Sequence, residues 1–205
     1  MRFFFVTFAI LFLPLGALAG TLNGTFTFKK KPPSVALIYF EDDTSGVTSN
    51  PTVDQKDQNF DQKLYVAQTG STIDFKNSDS IDHNVYADDK KNNVKFDKGL
   101  GKPGTTLQEV VKWDSGKVVK VGCMIHPKMK SYIASIKSKY FTTVNFNRKE
   151  KTATFKIENV PAGIKKVRIW LPKFEDIVID ADASDKKADL VKKGKTRGEV
   201  SVNLK

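Results

Sequence analysis

The sequence predicts an all-β protein, and three observations carry that expectation. No stretch after residue 19 repeats its apolar residues with the 3.6-residue period of a helix. Short alternating runs rich in Val, Ile, Thr, Tyr and Phe recur instead. Between them stand clusters of Gly, Pro, Asn and Asp, which end strands in tight turns. With 40% hydrophobic residues and 15 Phe in 205, the chain has enough apolar surface for one core or two small ones.

Taken in order, residues 22–28 and 35–40 read as strands joined by the basic turn 29–33. Residues 41–51 are polar and loop-like. A strand follows over about 53–60, then 63–66 and 72–75 around the turn 68–71. Residues 77–82 form a loop, and 84–87 begin another strand. The polar, Gly-containing segment 88–103 reads as a surface excursion. Residues 107–111, 117–121 and 132–136 are three more strands, the first two separated by the turn Asp114-Ser115-Gly116. The pattern then restarts with a hairpin over 143–146 and 152–157, a turn at Asn159-Val160-Pro161-Ala162-Gly163, and strands over 166–171, 177–179 and 200–204. The charged stretch 180–198 reads as an exposed loop.

The first residues resemble a leader for export. Arg2 is a short positive start, 3–15 an apolar run too short to span a bilayer comfortably, and Ala17-Leu18-Ala19 a cleavage signal. Residues 1–19 are thus expected to be removed, leaving Gly20 first and a periplasmic or secreted protein. No cysteine follows the cleavage signal to carry a lipid anchor.

An exported chain with a single cysteine has no internal disulfide to make, so its thiol is intermolecular, reactive or metal-bound. That cysteine stands in Gly122-Cys123-Met124-Ile125-His126-Pro127-Lys128-Met129, a C-x-x-H-x-x-M spacing entered from a β-like run. The other of the two histidines is His83, in Asp82-His83-Asn84-Val85. His83, Cys123, His126 and Met129 together supply a thiolate, two imidazoles and a thioether. That is the donor set of a type 1 copper site, a His₂Cys plane with a weak axial Met. The expectation is one copper ion and single-electron transfer. Met124, alternating away from Cys123, is expected in the core.

Residues 51–138 resemble the cupredoxin family. Phe60 to Asp82 is similar to that family's opening, with a strand ending in Phe75-Lys76-Asn77, and the first ligand stands in His83-Asn84-Val85. The 123–129 loop is similar to the short ligand loop of amicyanin-type members, including the Pro after His126. The resemblance implies that Asn84 ties the His83 loop to the Cys123 loop through its side chain and points its N–H at the thiolate. Ile125 stands where such loops carry Pro, so it keeps an N–H free to give the sulfur a second hydrogen bond. The resemblance also places His126 near the surface, rimmed by Ile125, Pro127 and the 99–103 loop.

A wider resemblance covers nearly the whole chain after residue 19. The Cys123 loop, Lys139-Tyr140-Phe141, the Val160-Pro161-Ala162-Gly163 turn and Val167-Arg168-Ile169-Trp170-Leu171-Pro172 are similar to cupredoxin proteins described as methylamine-utilisation-like. The tail of those proteins resembles the transthyretin-like regulatory domain of carboxypeptidases. This chain departs by Leu171, where those proteins carry His, and by its many Lys. It implies a cupredoxin sandwich over 51–138, inserted into a second small β-sandwich formed by 20–50 and 139–205. The alternative is a serial arrangement in which the early strands cap the cupredoxin sheet.

No histidine is left for a second copper centre or a catalytic base, so no enzyme is expected. The alternative to an electron carrier is a copper-binding and delivery protein, although the Met-rich or His-rich tracts of such carriers are missing. Lys+Arg exceed Asp+Glu by 34 − 23 = 11. The excess suits an acidic redox partner, with Lys128 and Lys130 near His126, or contact with an anionic membrane surface. The lysines are not interleaved with aromatics, which argues against nucleic acid.

Overall fold

The computed structural model describes residues 19–46 and 50–205. The expected leader lies outside the described residues except for Ala19. The described chain is all-β, as the sequence predicts, and no helix occurs among its residues. Its strands are β1 (Gly20–Phe28), β2 (Val35–Phe40), β3 (Thr52–Lys56), β4 (Asn59–Phe60), β5 (Tyr65–Ala67), β6 (Thr72–Asn77), β7 (His83–Asp89), β8 (Val94–Gly101) and β9 (Thr106–Val110). They continue as β10 (Val118–Gly122), β11 (Lys130–Ser135), β12 (Phe141–Asn145), β13 (Thr152–Val160), β14 (Lys166–Trp170), β15 (Ile177–Asp180), β16 (Lys186–Lys192) and β17 (Lys195–Leu204).

These strands form four sheets: β13-β1-β17-β16, β12-β2-β14-β15, β5-β11-β10-β7-β8 and β4-β3-β6-β9. The first two enclose a core of Leu22, Phe26, Ile38, Phe40, Ile169 and Val200, among others. The last two enclose Val53, Phe75, Val85, Val121 and Ile133, together with Cys123 and Met129. The strands expected at the start of the chain pair with the tail. β1 lies between β13 and β17, and β2 between β12 and β14.

β2 explains how the two sandwiches meet. All six of its residues are buried. Because side chains alternate across a strand, both faces must be covered. Ala36, Ile38 and Phe40 enter the first core. Val35, Leu37 and Tyr39 instead pack with Leu64, Ala134 and Ile136, with Val118 and Tyr132 at the margin. Tyr132 of β11 meets Trp170 of β14 edge-on, with ring centroids 5.0 Å apart. The four sheets therefore stack in four layers, and a third apolar layer lies between the two sandwiches.

The chain crosses between sandwiches beside Asp43, which is buried. Its carboxylate accepts the Ser45 N–H at 3.0 Å and the Ser45 hydroxyl at 2.7 Å. It also accepts the Ser138 hydroxyl and the Lys139 N–H, each at 3.0 Å. One side chain thus pins both crossings. Burial alone would raise its pKa, but these hydrogen bonds to Ser45, Lys139 and Ser138 outweigh it and hold the group below the ordinary carboxylate value. Its contribution is therefore complete above the unfolded value of about 3.9 and is lost as pH falls through the lowered folded value. Asp43→Ala is expected to cost about 1–3 kcal/mol at neutral pH, because buried donors lose their acceptor. The deficit should shrink on acidification, and urea midpoints at neutral and acid pH check both expectations.

Four strand expectations need correction. The hairpin expected over 143–146 and 152–157 does not form, because β12 pairs with β2 and β13 with β1, in different sheets. The excursion over 88–103 contains β8, whose Val94 and Phe96 pack on the second core while it pairs along β7. The loop over 180–198 contains β16 and the start of β17. These form a hairpin whose turn residues Lys193 and Gly194 both have positive φ, 53° and 66°, as a tight two-residue hairpin requires. The single strand over 53–60 is divided into β3 and β4 by a turn at Asp57 and Gln58.

Candidate metal centre

The site is built on one hairpin and one strand start. β10 and β11 pair up to Gly122 opposite Lys130, and the 123–129 loop closes them. The loop folds back on itself, with Met129 N–H donating to the His126 carbonyl at 2.9 Å and Cys123 N–H to the Met129 carbonyl at 3.4 Å. Gly122 lies opposite Tyr86 of β7, so the strand that begins at His83 is held against the loop. A side chain at Gly122 would put its Cβ 3.2 Å from the Tyr86 ring, so glycine permits this approach.

His83 Nδ1 lies 3.0 Å from His126 Nδ1, and Cys123 Sγ lies 3.6 Å from the same His126 atom. The ligand atoms of His83, Cys123 and His126 all fall within 4.8 Å of one another. His83 is fully buried, and Cys123 and Met129 are each 1% exposed. His126 is half-buried and forms the outer edge. Met129 packs in the same core cluster as Cys123.

Asn84 ties the two segments together through its backbone N–H and side-chain oxygen, and ties both to β8 through its side-chain nitrogen. Its backbone N–H donates to Cys123 Sγ at 3.4 Å, and its Oδ1 accepts the Met124 N–H at 3.2 Å. Its Nδ2 donates to Asp97 and to the Gly99 carbonyl on β8. Ile125 makes no hydrogen bond to the sulfur among those of the described residues. Met124 is not in the core: it is 59% exposed, and Ile125 is 50% exposed. Val119, Val121 and Cys123 face the core and Lys120 faces out, so the alternation of the strand itself carries Met124 outward.

Sequence reasoning missed Asp79, and it marked Asn77 only as the end of a strand, with no role at the site. Asp79 Oδ2 lies 3.0 Å from His83 Nε2 and accepts the Gln58 N–H at 2.9 Å. The Gln58 N–H first, then His83, hold the Asp79 pKa down to about 2. An ionised carboxylate only accepts, so Nε2 carries the proton and His83 Nδ1 keeps its lone pair for the centre. Asn77 is buried, donates to the Ile81 and Gly101 carbonyls and accepts the Asp79 N–H, which shapes the loop that delivers Asp79 and His83. A carboxylate four residues before a candidate ligand was the available signal for Asp79. Asp79→Ala is expected to lower copper affinity about 10–100-fold, as read by chelator competition; unchanged affinity would remove this role.

The donor set suits copper: one soft sulfur and two imidazole nitrogens converge in a buried space, with no carboxylate among them. No family model matches the chain, and no curated protein matches it. Solved structures do resemble part of it. A Cu(I) form of an amicyanin variant is 14% identical, with 43% of this chain and 84% of that one covered at a TM-score of 0.38. A purple cupredoxin from Nitrosopumilus maritimus is 19% identical, with 48% and 96% covered at 0.33. A copper-containing nitrite reductase from Thermus scotoductus is 22% identical, with 40% of this chain but only 21% of that chain covered, at 0.36. At these scores the likenesses bear on neither the site nor its chemistry, which rest on the geometry of His83, Cys123 and His126.

Proposed function

We propose that this protein is an exported carrier of single electrons that holds one type 1 copper ion on His83, Cys123 and His126, with Met129 as the weak axial donor. The observation that carries the reading is the buried convergence of two imidazole Nδ1 atoms and one thiol, with the Asn84 N–H already on the sulfur. Bound copper supplies a one-electron Cu(I)/Cu(II) couple. The chain's own part is to fix the donors before metal arrives. Asp79 sets the His83 tautomer, Asn84 locks the two loops together, and the core seals the sulfur from water. His126 is the half-buried member, so electrons enter and leave along its edge, beside Met124, Ile125 and Leu100, all exposed. Both histidines of the chain are engaged here, which supports a carrier over an enzyme.

The test is an optical and voltammetric titration of the purified protein with Cu(II). Intense visible absorption at one equivalent and a reversible one-electron wave are expected. A colourless complex, or Zn(II) bound in preference, would overturn the reading. Met129→Leu should retain copper and raise the potential; an unchanged potential would show that Met129 is not axial.

We also infer that residues 51–138 are an insertion into a sandwich formed by 20–50 and 139–205, and that the redox partner is acidic. The strand pairing of β1 and β2 supports the first inference, and Lys128 and Lys130, both exposed beside the ligand loop, support the second.

A further inference from the structure

One end of the sandwich formed by β1, β2 and the tail is densely cationic. Lys30, Lys31, Lys192 and Arg197 line a depression of about 210 Å³ floored by Phe28 and Phe174. None of these four cations has an ion-pair partner among the described residues. Lys192 Nζ lies 5.4 Å from the centre of the Phe174 ring, which holds it over the depression.

Two backbone hydrogen bonds gather further charge at this end. Lys29 N–H donates to the Arg197 carbonyl and Phe28 N–H to the Lys151 carbonyl, each at 2.7 Å. The turn after β1, the connection between β12 and β13 and the β16–β17 hairpin thus end together. Their tips add Arg148, Lys149, Lys193 and Lys195, all exposed. The acidic groups nearby are few. Glu150 accepts Asn147 Nδ2, Asp189 accepts the Thr196 hydroxyl, and Glu175 is exposed beside Phe174.

The basic surface continues toward the ligand loop. The Tyr132–Trp170 contact brings the turn that follows β14, with Lys173, over the outer face of β10 and β11. Burial first, then the charges of Lys130 and Lys173, lower the Lys120 pKa, so these three ammonium groups share one region.

We propose that this end of the molecule is a docking surface for an anionic phospholipid bilayer. The tips carry no exposed apolar anchor of the kind that centres a protein–protein interface. They carry many Lys and few Arg, on three separate turns. Lysine is a compact, strongly hydrated point charge on a flexible stem, suited to laterally mobile phosphates and not to a fixed array of carboxylates. The exposed apolar side chains Met124, Ile125 and Leu100 stand instead at the metal edge, where a protein partner would find its anchor. The inference is independent of the metal, and metal-free protein tests it equally.

The experiment is vesicle co-flotation of residues 20–205. Phosphatidylcholine vesicles with about one third phosphatidylglycerol are compared with pure phosphatidylcholine, at low and high salt. Binding is expected only to the anionic vesicles, with release by salt. Lys30→Glu/Lys31→Glu/Lys193→Glu/Lys195→Glu changes only exposed side chains and should weaken binding on the order of a hundredfold. The control Lys56→Glu/Lys76→Glu/Lys91→Glu/Lys112→Glu makes the same change in net charge elsewhere and should keep most of the binding. Equal loss in both variants would reduce the effect to net charge and overturn the proposal. Failure to bind anionic vesicles would also overturn it. If the first variant then lost binding to soluble polyglutamate, the surface would belong to an acidic protein.

Discussion

Cys123→Ser is expected to abolish the intense visible absorption of the copper-loaded protein and to leave the fold standing. A serine hydroxyl matches the thiol in shape and can still accept the Asn84 N–H, so the loops should remain tied. It cannot supply the soft, covalent sulfur donor that a type 1 site requires. Cys123 is 1% exposed and sits among Val121, Met129 and Ile133. Exchanging its sulfur for oxygen in that core should cost about 1–2 kcal/mol in stability, as read by urea midpoint without metal. Met124→Ser is the matched control on an exposed neighbour and should keep the absorption. If the Cys123→Ser band persists, or the Met124→Ser band is lost, the ligand assignment is wrong.

Leu37→Ala is expected to destabilise both sandwiches together, by about 2–5 kcal/mol. Leu37 is fully buried on the face of β2 that packs against Leu64, Ala134 and Ile136. Its truncation leaves a cavity in the layer between the sandwiches and none within either core. Unfolding is read separately by the copper absorption, which reports the sandwich holding Cys123, and by peptide circular dichroism, which reports the whole chain. Coincident transitions that shift together are expected. If only the second signal shifts, the layer does not couple the two sandwiches. Residues 50–138 expressed alone should keep their strand pairing and bind copper at reduced stability, because Leu64, Ala134 and Ile136 lose their cover.

The strands with plain alternation were legible in the sequence because burial of one face writes a period of two into the residues. β1, with Leu22, Phe26 and Phe28 turned inward, shows it directly. β8 and β16 were not legible. Each is an edge strand with few inward apolar residues among charges: Val94 and Phe96 in one, Ala188 and Leu190 in the other. Their strand state comes from a neighbour's unpaired backbone groups and not from their own pattern. The run 35–40 was read as a strand. That six consecutive apolar residues imply burial on both faces was a further signal in those residues, and it points to the layer between the sandwiches.

The sequence by itself determined the all-β class, through alternation and turns, and nominated His83, Cys123, His126 and Met129, through the scarcity of their residue types. Scarcity is readable without a fold, because two histidines and one cysteine leave few other ways to build a soft metal site. Only the tertiary structure decided what holds His83 in its tautomer, because Asp79 is placed by Asn77 and Gln58 through contacts that cross β3, β6 and β8. It also alone gathered the lysines of three distant turns at one end, because the pairing of β1 with β13 and β17 has no local signature in the residues that carry the charge.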